Sequence, residues 1–472
     1  MKNGIKLAQI GGGSSYTPDF AEIMIQRRDE FPISEWVLMD IDAERNAILA
    51  NFVRSMLASA GMNVTVNTTT SIQEAVADAD FVVTTMRVGL SQGRILDETI
   101  PPKHGLLIGQ ETTAPGGLAM GLRNIPVILD VASAIKQYAA PNAWLINLAN
   151  PSGMLSEAVN QHCHINVAGL CNGPTVARTF MVKALNANPK DVFCKIIGLN
   201  HLIWMKVFYK GEDITESAME IFADYLGKNL PPLRTEMAPM NIQKFAGWIP
   251  MGPYLRFYYE LPESIEDHKH TAERWPELFK FIKKDLGDLL DGFEIKDLPT
   301  RAHMVKAMEE RTLALYAKGD MQGYKLATLT RGGRGYAEAG LSLASAIWNN
   351  KNEIHGPDVC HQGTLPGLDP SVVTTTTALV NKSGIYPLAV GPLPRHMMSF
   401  IQAAKNYELL AVEAAVTGNY HAALEALIAN PLIVSFNQAK SALDELLVAH
   451  KDYLPLFHDS IEKIERGEDP LG

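Results

Sequence analysis

The sequence predicts an α/β protein: a doubly wound parallel sheet joined to a mixed α/β, helix-rich second domain. Three observations carry this. Apolar runs of strand length alternate with helical patterns up to about residue 190, the signature of parallel strands linked by helices on both faces. A glycine-rich turn, "GGGSS" at Gly11–Ser15, directly follows the first apolar run. Beyond residue 190 the texture changes to paired strands, long helical segments and a helical close.

The first strand is "IKLAQI", Ile5–Ile10, and a helix follows from Pro18 in "PDFAEIMIQRR". Glycines at such a turn let the backbone approach a ligand closely, and the helix N-terminus offers free N–H groups to an anion. Gly11 and Gly13 match two positions of the dinucleotide fingerprint Gly-x-Gly-x-x-Gly, while Tyr16 stands at the third and calls for a different helix contact. The second strand, Trp36–Met39 in "EWVLMDID", ends in Asp40. An acidic residue there accepts a hydrogen bond from a ribose 2′-hydroxyl and selects NAD over NADP. Gly11, Gly12, Gly13, Ser14, Ser15 and Asp40 therefore form an expected NAD site in a Rossmann-like domain spanning residues 1–190. Its later strands are "VTVNTTT", "FVVTTM", "WLINLA" and "VAGLC", and "SIQEAVADA" and "IPVILDVASAIKQYA" read as helices between them. Ligands of such sheets sit beyond the carboxyl ends of the strands. That places Arg87, Asn147, Asn150, Cys171 and Asn172 at the same crevice as the glycine turn.

The second domain, residues 191–472, begins with two strands in "CKIIGLNHLIWMKVFYKGEDI", bent at Gly198–His201 and turning at Lys210–Gly211. Helices dominate from about Ser217 to Asn349, interrupted by "IPMGPYLRFYYELPES". A strand-and-loop region follows, in which Thr374–Thr377 reads as an edge or buried strand, and helices run from about Leu393 to Arg466.

Bulk properties narrow the function. With 472 residues, 47% of them hydrophobic, and a net charge of −10, the chain has no basic stripe to hold nucleic acid. No uninterrupted apolar run of about 18 residues occurs, so no membrane span is expected. The first strand starts too early for a cleavable leader, and four cysteines are too few for a disulfide framework. A cytoplasmic protein is the expectation.

Cys171 and His201 each end a strand. Singly, they read as a buried small hydrophobe and a core histidine. Together, a thiolate and an imidazole bind a divalent transition metal and leave positions open for substrate oxygens. Two ligands are too few for a closed structural zinc site. In "PYLRFYYEL", Tyr258 and Tyr259 read as aromatic packing. Tyr254 becomes a base if a nearby metal or cation favours its ionised form. Arg87, Arg94, Arg301 and Arg331 lie in apolar or glycine-rich settings. Arginine suits bidentate phosphate recognition, and the residues alone do not choose among the four.

The ordered set "IGGGSSYTPDF", "MRVG", "GQET" with "PGG", "INLANPSGM", "CNGP", "GLNH" and "YLRFYY" resembles the NAD- and manganese-dependent glycosidases of glycoside hydrolase family 4, in particular their 6-phospho-β-glucosidase branch. This family stands apart from glycosidases that use a pair of carboxylates. The resemblance implies a fold of the lactate and malate dehydrogenase superfamily and a homodimer or homotetramer. It also implies a redox route to hydrolysis. NAD+ accepts hydride from sugar C3, Mn2+ or another divalent metal polarises the C3 oxygen, a tyrosine removes the C2 proton and the aglycone leaves. Water then adds and the hydride returns. On this resemblance Cys171 and His201 match the metal ligands and Tyr254 the base. Asn150 and Asn172 match sugar contacts, and Arg301, with Arg94 as a further candidate, matches phosphate binding. Arg87 joins the cofactor set. Position 172 is asparagine where the α-glucosidase branch has aspartate, which favours a β-glucoside and leaves the leaving-group acid open. Two other readings share the fold: a plain NAD-linked dehydrogenase, which needs a histidine and carboxylate pair, and a noncatalytic NAD sensor.

Overall fold

The computed structural model describes residues 4–108, 114–229, 238–269, 300–330 and 335–472. Its strands are β1 (Ile5–Ile10), β2 (Ile33–Met39), β3 (Thr65–Thr69), β4 (Phe81–Thr84), β5 (Trp144–Asn147), β6 (Asn166–Gly169), β7 (Val192–Leu199) and β8 (Leu202–Tyr209). These are followed by β9 (Glu212–Asp213), β10 (Ile249–Pro250), β11 (Glu353–His355), β12 (Asp358–Cys360), β13 (Val373–Thr376), β14 (Ala378–Asn381) and β15 (Gly384–Pro387). The helix expected from Pro18 begins at Thr17.

One large sheet has the order β10-β8-β7-β13-β12-β6-β5-β4-β1-β2-β3, and β9 pairs with β8. The β3-β2-β1-β4-β5-β6 part is wholly parallel, the Rossmann order with its switch point between β1 and β4. The strands beyond β6 are antiparallel, so the sheet runs unbroken across residue 190. The four-threonine run lies inside this sheet, with Thr374, Thr375, Thr376 and Thr377 all buried. β11, β14 and β15 form a separate small sheet.

Alternation along β1 divides the core. Ile5 and Leu7 face the helices Thr17–Gln26, Ala43–Ser59 and Tyr336–Trp348. Ala8 and Ile10 face the helix Ala114–Tyr138, onto which the C-terminal helices Arg395–Thr417, Tyr420–Ala429 and Phe436–Ala449 fold back. One long helix runs through this core. From Pro115 to Tyr138 it is long and apolar enough, by length and composition, to cross a bilayer, yet most of it is buried inside the protein. It is a core helix sandwiched between the sheet and the C-terminal tail.

Candidate active site

The glycine turn is held hard against the end of β4. Gly11 adopts a φ of 95°, and a Cβ there would stand 2.7 Å from the Met86 amide nitrogen, so only glycine fits. Thr85 Oγ1 donates to the Gly11 carbonyl at 2.8 Å and Thr17 Oγ1 donates to that of Gly12 at 2.7 Å. These threonines fix the turn where the fingerprint would place a third glycine. Tyr16, at that position, packs its ring 6.0 Å from Tyr336.

Ser14 Oγ accepts the Tyr16 N–H at 3.3 Å, and Ser15 is buried. Asp40 lies at the mouth of the turn. Its carboxylate accepts the N–H of Gly13 at 2.9 Å and that of Asp42 at 3.1 Å. A Cβ on Gly13 would come within 2.8 Å of the same carboxylate. Ile41 beside it is 81% exposed, an apolar surface at the crevice that sequence reading missed. A dinucleotide fits this set: bare backbone for a pyrophosphate, a carboxylate for a ribose hydroxyl and an apolar rim for a base.

Two residues absent from the sequence reading brace the turn. Arg45 Nε donates to the Gly13 carbonyl at 2.5 Å, and its Nη2 reaches Glu309 at 2.6 Å. Glu309 also accepts from Ser91 Oγ at 2.9 Å. The helix Arg301–Ala317 thereby holds both the glycine turn and the helix Leu90–Lys103. Glu98, almost fully buried, makes a second link between those helices. It accepts Arg94 Nε at 2.8 Å and the Ala302 N–H at 2.8 Å. Arg94 and the start of the Arg301 helix thus meet at one carboxylate.

Asn147 and Asn150 follow β5. Asn147 is buried and accepts from Thr84 Oγ1 at 2.7 Å, bonding the ends of two adjacent strands. The Asn150 carbonyl accepts Asn124 Nδ2 at 2.7 Å. Arg87, after β4, is half-buried.

Cys171 caps the helix Asn172–Ala184, and its Sγ accepts the Gly173 N–H at 3.3 Å. A helix N-terminus favours negative charge at that sulfur. His201 sits in the tight turn between β7 and β8, with a φ of 65° and only 9% exposure. Its ring stacks on that of Tyr254, centroids 4.2 Å apart and planes 12° from parallel. These two residues come from separate segments, and the fold presses them face to face. Tyr258 and Tyr259 behave as packing residues, both lying against Phe400, and burial raises both phenols above their ordinary value.

The start of the helix Ser152–His162 joins the neighbouring strand ends. Ser152 Oγ donates to Asp358 at 2.6 Å, and Asp358 pairs in register with Gly169, two residues before Cys171. A Cβ on Gly153 would lie 2.8 Å from Glu408 Oε1 and 3.4 Å from the Asn200 Cβ. Beneath this point Lys405 bridges Glu157 at 3.0 Å and Glu408 at 2.5 Å. Burial raises the carboxyls of Asp358 and Glu408. Asn200, beside His201, is buried with neither amide atom partnered among the described residues.

Among the described residues no set of three or more His, Cys, Asp or Glu side chains is arranged to hold a metal. A thiol and an imidazole suit a divalent transition metal that completes its shell with substrate oxygens. The "GQET" motif and Arg331 lie outside the described residues.

Two family models match. Residues 6–187 match the family 4 glycosyl hydrolase model, and residues 196–433 match its C-terminal domain. The chain belongs to glycosyl hydrolase family 4. It is 37% identical over 470 residues to a probable 6-phospho-β-glucosidase of Bacillus subtilis, covering 98% of this chain and all of that one. A phospho-α-glucosidase of Clostridium acetobutylicum is 30% identical, with 95% of this chain and 98% of that one covered. A solved 6-phospho-β-glucosidase from Thermotoga maritima, described with manganese, NAD+ and glucose 6-phosphate, superposes with a TM-score of 0.79 at 29% identity, covering 95% of this chain and 99% of that one. This family 4 chain is a glycoside hydrolase built on a Rossmann sheet.

Proposed function

We propose that this enzyme hydrolyses 6-phospho-β-glucosides to glucose 6-phosphate and an aglycone by oxidation at C3, elimination across C1 and C2, water addition and re-reduction. The stacking of His201 on Tyr254 carries this reading, because it puts a metal-ligand candidate and a base candidate on one reacting group. When bound, NAD+ supplies a reversible hydride acceptor and a divalent metal such as Mn2+ supplies the charge that acidifies the C2 proton.

The chain's own residues do the rest. Gly11, Gly12, Gly13, Ser14 and Ser15 admit the pyrophosphate, Asp40 accepts from the ribose, and Arg87 lines the cofactor side. Cys171 and His201 hold the metal. Asn150 and Asn172 hydrogen-bond sugar hydroxyls and so fix which carbon faces the cofactor. Arg94 and Arg301 take the 6-phosphate, with Glu98 setting their relative position. The Tyr254 oxygen takes the C2 proton as the aglycone leaves, exchanges it with solvent, and reprotonates C2 after water has replaced the aglycone. Asn172 is not an acid, which fits a β-linked substrate better than an α-linked one. NAD binding falls to residues 1–190, and metal and sugar binding draw on residues 191–472 as well. The four free cysteines fit a reducing cytoplasm. A homodimer or homotetramer belongs to the same reading, and sedimentation velocity tests it.

One assay tests the function. The purified protein is incubated with NAD+, Mn2+ and a chromogenic 6-phospho-β-glucoside under reducing conditions. Aglycone release without net NADH is expected. Stoichiometric NADH would make the enzyme a dehydrogenase. NAD binding with neither product would make it a sensor.

A further inference from the structure

The loops that leave β4 and β5 carry the cofactor-side residue Arg87 and the sugar contact Asn150. Both lie beyond the register of their strands, which ends at Thr84 and Asn147. One side chain spans them. Asn124, fully buried on the helix Ala114–Tyr138, accepts the Val88 N–H on Oδ1 at 2.9 Å and donates from Nδ2 to the Asn150 carbonyl at 2.7 Å. Both backbone partners dictate the orientation of the amide, since each offers a single role. The preceding residue grips Val88 through its other backbone group: Arg123 Nε donates to the Val88 carbonyl at 3.3 Å. Arg123 is in turn locked by a bidentate pair with Asp97, at 3.0 and 2.7 Å, and Asp97 also bonds His450 at 2.9 Å. Burial alone would push the Asp97 carboxyl up, but the Arg123 charge and the His450 hydrogen bond outweigh it and hold it below its ordinary value.

We propose that Asn124 is a positioning residue that sets the register between cofactor and sugar by clamping Val88 to Asn150. The helix does not need this clamp in order to dock. Leu118, Leu122, Ile125, Ile128 and Val131 already bury its apolar face. What the clamp controls is the spacing of two loop backbones at the crevice. Hydride transfer is sensitive to such spacing, and a displacement of about 1 Å costs on the order of a hundredfold in rate. A carboxylate of the same size would still accept from Val88 but would set an oxygen against the Asn150 carbonyl.

The proposal rests on the glycosidase reading, so its test separates the two. In full-length Asn124→Asp, kcat is expected to fall by roughly ten- to a hundredfold, with KM for the phosphoglucoside changed by less than about threefold. The isotope effect on a substrate deuterated at C3 should rise as hydride transfer becomes limiting. A variant that melts earlier but keeps the wild-type kcat and C3 isotope effect would make Asn124 merely structural and overturn the proposal. If Asn124→Asp does not fold, Asn124→Leu, which keeps the shape but offers neither donor nor acceptor, is expected to show the same signature, and wild-type kinetics there overturn it equally. Wild-type enzyme in heavy water supplies the separate control. Failure to place deuterium at C2 of the product would sink the glycosidase reading itself, whereas deuterium at C2 with wild-type-like Asn124 variants would sink only the clamp.

Discussion

The two ends of the crevice are built in different ways. The cofactor end is local: Gly11, Gly13, Asp40 and Thr85 lie at the tips of adjacent parallel strands, and a glycine backbone group takes part in each bond between them. The sugar end is assembled at long range. His201 comes from an antiparallel hairpin and Tyr254 from a short 3-10 turn, while Asn150 is held by a helix that precedes its own strand. Backbone geometry built from glycine tolerates little substitution but needs few partners. A site built from side chains on separate segments concentrates its chemistry in a few irreplaceable groups. Damage to the sugar end should therefore remove turnover and spare cofactor binding, whereas damage to the cofactor end should weaken NAD+ binding and lower turnover through it.

The largest effect is expected at the proposed metal ligands. Cys171→Ser or His201→Ala should abolish Mn2+-dependent aglycone release while NAD+ titration stays near wild type. Full activity of either variant in the presence of chelator would remove it from the metal site. Tyr254→Phe keeps the ring that stacks on His201 but deletes its oxygen. Turnover should fall by about two to four powers of ten. Wild-type-like rates, with no deuterium entering C2 from heavy water, would contradict elimination.

At the cofactor end, Gly11→Ala forces a side chain into a φ of 95° and against Met86, a strain of roughly 1–3 kcal/mol. NAD+ affinity and melting temperature should drop together; an unchanged melting curve would mean that the turn relaxes freely. Asp40→Ala should weaken NAD+ by about tenfold and narrow the preference over NADP+, as loss of one charge-assisted hydrogen bond predicts. Equal affinities before and after would place the ribose elsewhere.

The smallest effect is a pH dependence of stability. Burial holds the His450 imidazole below its ordinary value of 6.5, despite its bond to Asp97. As pH falls below about 6.5 the unfolded chain takes up a proton that the folded chain refuses, so stability is lost through that window. His450→Gln should show a flatter decline of melting temperature there. Parallel curves for the two proteins would show that this histidine does not contribute.

Much of this was legible in the chain. Glycines after a strand and an acid ending the next one have local causes, and they appear at the ends of β1 and β2 as expected. Cys171 leads its helix, and Pro174 sits in the first turn. Tyr258 and Tyr259 could be read as packing because their apolar setting is local too. Residues whose partners are remote were not legible. Glu98, Asn124 and Glu309 look like ordinary helix residues, and nothing within a turn of each signals a partner 26 to 264 residues away. Within Ala114–Tyr138 the helical pattern was legible, but its burial under the C-terminal helices was not, since those helices lie far along the chain.

By itself, then, the sequence determined the strand and helix alternation, the glycine turn and the acidic strand end, because each is set by residues near it in the chain. The tertiary structure decided which groups meet. It alone carried the Rossmann sheet on into antiparallel strands, set His201 against Tyr254, joined Arg94 to the Arg301 helix through Glu98 and gave Asn124 its two loops. Those contacts follow from burying both faces of one sheet under helices drawn from both ends of the chain, a condition that no short window of sequence contains.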